Sequence, residues 1–239
     1  MTLPTVEATQ VYNQTSNAST TGAQTLSLGT ISEGDIIFVF CSLDGTAGAP
    51  TGSGNNSGSM TAIQNTDEGN NEVEVLYAVQ GATADTTITV SWTGSEQGRF
   101  MYVRVASADS TPINATGTGS TGAGTSVTPT SPASTVDNCL FLAICGVDRD
   151  QVDAADTVSG TGWTEVGTSG SSGGANGSGL IVAELDQTTA GTPANPAFSS
   201  WTSDSYAAYV FAVEEVQAAA ASTYREFKSL YELINGSAG

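Results

Sequence analysis

The chain has 239 residues, 38% of them hydrophobic, which is enough for one large domain or two small ones with a real core and excludes a disordered chain. Its formal charge is −19, with 22 of the 24 acids and three of the five bases in residues 1–221, and such a surface repels phosphate backbones and anionic lipid. There is no histidine and Lys228 is the one lysine, so Ser-His-Asp and Cys-His machinery, most zinc sites, a Schiff-base lysine and a phosphate-loop lysine are excluded.

A charged fraction of 12%, 28 glycines and abundant Ser, Thr and Asn predict an all-β fold of short strands joined by many turns. Met1 to Gly22 carries neither a basic cluster nor an apolar stretch of signal-peptide type, and no run approaches the ~20 apolar residues of a membrane span. A soluble product made in a cytoplasm is expected, its acidic surface serving mainly to resist aggregation.

In chain order, Val6 to Tyr12 and Gln24 to Leu28 alternate polar and apolar residues and predict two half-buried strands. Ile36 to Leu43 is continuously apolar, the pattern of a central strand covered on both faces. Ala47 to Ser59 reads as a Gly/Ser/Asn loop. Strands are then predicted at Met60 to Asn65, Glu72 to Val79, Thr86 to Trp92 and Phe100 to Ala106.

Thr111 to Pro132 is rich in Thr, Ser, Gly and Pro, and 111–124 is the best linker. Beyond it the plan restarts. Leu140 to Val147 answers Ile36 to Leu43, Gly162 to Val166 answers Ser59 to Ile63, and Leu180 to Leu185 answers Val73 to Val79. Phe198 to Thr202 answers Thr89 to Thr93, and Tyr206 to Val213 answers Phe100 to Ala106. So many matches in one order mark a degenerate duplication, with halves of about 1–110 and 125–216. The second half shows no evident counterpart of the strands at Val6 to Tyr12 and Gln24 to Leu28. One jelly-roll-like β-sandwich spanning 1–216, in which each half gives strands to both sheets, is therefore preferred to two tandem sandwiches.

The tail, 217–239, differs in kind. Thr223 and Glu226 fit a capping box and Gly236 fits the position just past a helix C-terminus. Tyr224, Phe227, Leu230, Tyr231 and Ile234 recur at spacings of three and four and predict one apolar stripe on a C-terminal α-helix. That stripe either caps one end of its own sandwich or docks on a neighbouring subunit, and the second, which makes it the candidate partner-binding surface, is slightly preferred.

No catalytic motif stands out, and a non-enzymatic protein without a cofactor is expected. The best metal candidate is the acid-rich segment with Asp148, Asp150, Asp153 and Asp156, since Ca²⁺ takes several oxygen ligands from one loop. It lacks the glycine and the bidentate glutamate of an EF-hand, and a solvated acidic loop is the stronger reading. Cys139 and Cys145 lie on one predicted strand, about 20 Å apart at strand rise and beyond disulfide reach. With Cys41 they read as small core residues. Trp92, Trp163 and Trp201 read as core or sheet-end packing in preference to sugar platforms.

The Gly-Asp-apolar strand at Gly34 to Leu43, the Gly-Trp-Thr step at Gly162 to Thr164, the alternating strand and Thr-Ala turn at Leu76 to Ala84, and Trp-Thr before a closing strand resemble the β-sandwich structural proteins of tailed bacteriophages. The resemblance covers roughly residues 20 to 215 and is one of rhythm, with no invariant catalytic residues; the C-terminal helix is not part of it. It implies a virion protein that is oligomeric and contacts other virion proteins, a capsid decoration or cement subunit more than a tail component. The alternative is a carbohydrate-binding adhesin or tail-fibre receptor-binding module that reaches a glycan through its Gly-rich loops.

Overall fold

The computed structural model describes residues 3–13, 21–45, 48–94, 98–106, 108–148, 157–169 and 177–215. Among them the chain is all-β, with antiparallel pairing throughout. No helix there is long and apolar enough to cross a membrane. The expected C-terminal helix falls in 217–239, outside the described residues.

The continuous apolar run forms β3 (Ile36–Asp44), buried at every position. Strand geometry sends successive side chains to opposite faces, and both faces are covered. Ile36, Phe38 and Phe40 enter a core shared by the two halves, whereas Ile37, Val39, Cys41 and Leu43 enter a core belonging to the first half alone. Its echo β12 (Cys139–Asp148) divides in the same way: Leu140, Leu142 and Ile144 join the shared core, and Phe141, Ala143 and Cys145 join the second half's own. All three cysteines are free and buried, and all three tryptophans are buried, as the sequence indicates.

Around β3 the first half builds a five-stranded sheet from β1 (Thr5–Asn13), β9 (Gly98–Ala106), β7 (Asn71–Val79) and β6 (Thr61–Asp67), in the order β1-β9-β3-β7-β6. Against it packs a four-stranded sheet in the order β2-β8-β4-β5, made of β2 (Thr21–Ser27), β8 (Thr87–Thr93), β4 (Gly48–Gly54) and β5 (Gly58–Ser59). The second half repeats this order with β10 (Ala108–Thr116), β16 (Ala197–Glu215), β12, β15 (Ser178–Gln187) and β14 (Thr164–Ser169). β11 (Ser120–Val127) and β13 (Thr157–Ser159) flank the first part of β16 as β2 and β4 flank β8. Even the irregularities recur, with a register shift at Ala62/Gln64 between β6 and β7 and another at Glu165/Gly167 between β14 and β15.

Two expectations are corrected. Residues 111–124 are not a linker: apart from the short connection at 117–119 they lie in β10 and β11, the counterparts of β1 and β2 that the second half was expected to lack. Each sheet is therefore drawn from one half, and the halves do not lend strands to common sheets. β10 is an edge strand with Pro112 in a register shift, and β11 is mostly glycine and hydroxyl side chains, so neither shows an alternating apolar pattern. For the same reason β4, read as loop, is a strand. A Cβ at its Gly52 would come within 2.6 Å of Met60 Sδ and 2.9 Å of Leu76 Cδ1, so glycine lets this backbone lie close to the core.

The first half's five-stranded sheet and the matching five-strand path of the second half's seven-stranded sheet stack face to face on the shared core, where Phe211 sits 5.5 Å from Phe38 and 6.1 Å from Phe40, ring centre to ring centre. β1 lies against β14 and β10 against β6, the reciprocal arrangement of a pseudo-twofold axis running along the strands. The result is a stack of four layers with three cores. Register also fixes the ends of the stack. Thr5 pairs with Ala106 and Ala108 with Glu215, so the chain's first strand, the crossing between halves and the end of β16 meet at one end. Asp44, Asp148, Asn71 and Ser178 mark the opposite end.

Candidate functional site

β7 carries Glu72 and Glu74 on the face that Leu76 shares, turned into the first half, while Val73 and Val75 point to the shared core. The E-V-E-V pattern reads as a half-buried strand with its carboxylates in water. Instead both glutamates are only 3% exposed, because β6 and β4 cover that face.

Asn65 on β6 stands opposite Glu74 and its side-chain amide donates to both carboxylates, to Glu72 Oε1 by a short bond and to Glu74 Oε2 at 3.2 Å. Glu72 Oε2 is buried without a partner. Burial pushes both carboxyls up; the Asn65 hydrogen bond opposes this, and neighbouring charge adds to it, Asp67 acting on Glu72 and Glu72 on Glu74. For Glu74 the outcome is about 7. Cys41, opposite Glu74 on β3, has its thiol raised by burial first and then by these two carboxylates, the reverse of what a reactive thiolate needs.

Glu74 and Leu76 form part of the floor of an open cleft of about 420 Å³ between β7, β6 and β4. Met60, Pro50, Ala49 and Ala62 supply apolar walls, and hydroxyl side chains of Thr51, Ser53 and Ser59 stand at the exposed rim. Among the described residues Glu74 is the one ionisable residue on the lining. Nothing in its spacing along the sequence distinguished it from a solvated strand glutamate.

One end of this wall is tied down by Asp85, 1% exposed, which accepts hydrogen bonds from the backbones of Asn56 (2.6 Å) and Ser57 (2.9 Å), the Ser57 hydroxyl (2.5 Å) and Gln80 (3.1 Å). Burial works to raise the Asp85 pKa, but the Ser57, Asn56 and Gln80 hydrogen bonds outweigh it and hold the carboxyl below its ordinary value.

The residues singled out in the sequence fall elsewhere. Asp148 ends β12, half-buried and opposite Ser178, while Asp150, Asp153 and Asp156 lie outside the described residues. Among the described residues no three His, Cys, Asp or Glu side chains converge as a metal-ligand set. The stripe of Tyr224, Phe227, Leu230, Tyr231 and Ile234 also lies outside the described residues. Compared with known protein families, curated proteins and solved structures, the chain matches none.

Proposed function

We propose that the chain is a non-enzymatic structural subunit of a bacteriophage virion, a capsid decoration or cement protein held by one end of its stack. One observation carries this reading. β1 begins beside Ala106, and β16 ends beside Ala108, so the first strand and the segment that follows Glu215 emerge together. Attachment there leaves the far end of a four-layer block projecting. In this reading residues 222–236 form an amphipathic helix, and Tyr224, Phe227, Leu230, Tyr231 and Ile234 dock on the shell or on a sibling subunit.

Sedimentation with particles tests it: the full chain pellets with them, and a variant lacking 222–239 stays in the supernatant while keeping its thermal transition. A full-length monomer with no affinity for particles would end the proposal. The second reading, a carbohydrate-binding adhesin or receptor-binding module, is favoured by the open cleft with hydroxyl side chains at its rim. A glycan array separates the two, since only the adhesin retains a defined sugar.

A further inference from the structure

Duplication provides an internal control for the first half's cleft. Cys41 stands opposite Glu74 and its counterpart Cys145 stands opposite Ile181; in the same register Glu72 corresponds to Gly179 and Asn65 to Thr168. The second half keeps the strand order, the bulge and the cysteine, and places Ile181 in its core where the first half buries a carboxylate. The fold therefore accepts an apolar side chain at this position. A carboxylate taken out of water is costly unless paired, and no cation is paired with Glu74 among the described residues. Asn65 is its one hydrogen-bond partner there, on one oxygen, and Glu72 beside it leaves an oxygen with none.

Three features converge on one ligand chemistry. Glu74 is nine-tenths buried and more, lies on the floor of a cleft of about 420 Å³, and is the only ionisable group lining it among the described residues. Beside it Leu76, Met60 and Pro50 offer apolar surface along which a methylene chain can lie. A compact ammonium on an apolar stem matches both: the stem lies along apolar surface and the head donates three hydrogen bonds. We propose that this cleft binds a primary alkylammonium group, with its stem along Leu76 and Met60 and its ammonium on the carboxylate of Glu74, backed by Glu72. The ammonium comes either from a free amine or from a lysine side chain of a partner protein. A neutral sugar would satisfy the hydroxyl rim and leave the carboxylate uncompensated. The inference is independent of the virion reading.

Isothermal titration and ligand-observed NMR on the full chain test it, with pentylammonium as probe and 1-pentanol as its neutral match. Pentylammonium binds and pentanol does not, and Glu74→Gln weakens binding by about tenfold or more, as expected when one member of a buried charge pair is removed. Glu74→Gln alters a net charge of −19 by one, so loose attraction to the acidic surface would survive it. If Glu74→Gln fails to fold, Ala62→Phe, at an exposed wall position, closes the cleft and abolishes binding. Retained binding in the folded variant, or equal binding of pentanol, would overturn the proposal. Nα-acetyl-lysine methylamide and 1,5-diaminopentane identify the source: stronger binding of the first indicates a protein lysine, of the second a free amine. Failure of both would overturn it as well.

Discussion

The two halves share strand order, bulges and a common core, yet bury different chemistry. The first half covers Glu72, Glu74 and Asp85, and leaves the indole nitrogen of Trp92 without a partner. The second half fills the corresponding space with Ile181, and its Trp201 donates to Gly124 O at 2.8 Å. The turns that follow β7 and β15 differ likewise. In the first, Gln80 and Asp85 bond to each other through their side chains and Gln80 also exchanges backbone bonds with Gly34 and Asp35; in the second, Ser134 and Gly191 exchange backbone bonds and Asp137 accepts from the backbone of Ala190. One fold thus tolerates two interiors, and at this position the half that buries a carboxylate is the half with the cleft. Natural sequences break their own packing rules mostly at functional sites, which is why the first half draws attention.

The line between the halves is where a mutation acts most strongly. Gly146 sits at the shared interface, and a Cβ there would lie 2.3 Å from Val73 Cγ1, 2.5 Å from Ser42 Oγ and 2.7 Å from Asn71 Oδ1. Its counterpart Ser42 keeps its side chain, donating to or accepting from Ser178 Oγ at 2.6 Å and accepting from Asn71 at 3.2 Å. Gly146→Val is expected to cost about 3 kcal/mol in a denaturant titration, because overpacking is set against two β-sheets that cannot both yield. An unchanged midpoint would mean that the halves are not locked together at this position.

Asp85→Asn comes next. It weakens the charge-assisted bonds that hold Asn56 and Ser57 and should cost about 2 kcal/mol at neutral pH, read by thermal or chemical unfolding. Because the folded carboxyl titrates below its ordinary value, its stabilisation is present above the unfolded pKa and is lost as pH falls through the folded one. The difference between wild type and variant should therefore shrink on acidification.

Glu74→Ile installs the second half's residue and has the opposite sign. Replacing a desolvated carboxylate by a packed apolar side chain should stabilise by about 1 kcal/mol at pH 8. A carboxyl raised to about 7 holds its proton longer when folded, so the wild type loses stability as pH rises from the unfolded glutamate value towards 7. The variant's advantage should appear across that window and fade at pH 4. A loss of stability at pH 8 would show that Glu74 supports the first half's core. The smallest effect is expected for Ser42→Ala, about 0.5–1 kcal/mol, since one hydroxyl bond between the halves is lost. A Ser42→Ala variant as damaging as Gly146→Val would make that hydroxyl pair the main lock between halves.

The strands buried on both faces are legible from residues alone. Ile36 to Leu43 and Leu140 to Val147 announce themselves because a strand covered on two sides admits almost no polar side chain, and their echo establishes the duplication. β16 is legible as two strands, Phe198 to Thr202 and Tyr206 to Val213; that they run on as one 19-residue strand crossing from the small sheet to the large one is a tertiary fact.

The cleft was not legible. Glu72 and Glu74 alternate with valines as solvated strand residues do, and only the cover supplied by β6 and β4 removes them from water. The same holds for β4, β10 and β11, whose glycines and hydroxyls carry no periodicity because larger residues on neighbouring strands, Met60, Leu76, Trp201 and Tyr206 among them, fill the space beside them. Local pattern by itself determined which strands lie at the centre and that the chain is built twice. Tertiary structure decided that each half closes its own sheets, that the two stack across a shared core, and that one half covers a carboxylate. Burial is a property of what lies opposite a side chain, and a strand's own residues do not specify their neighbours.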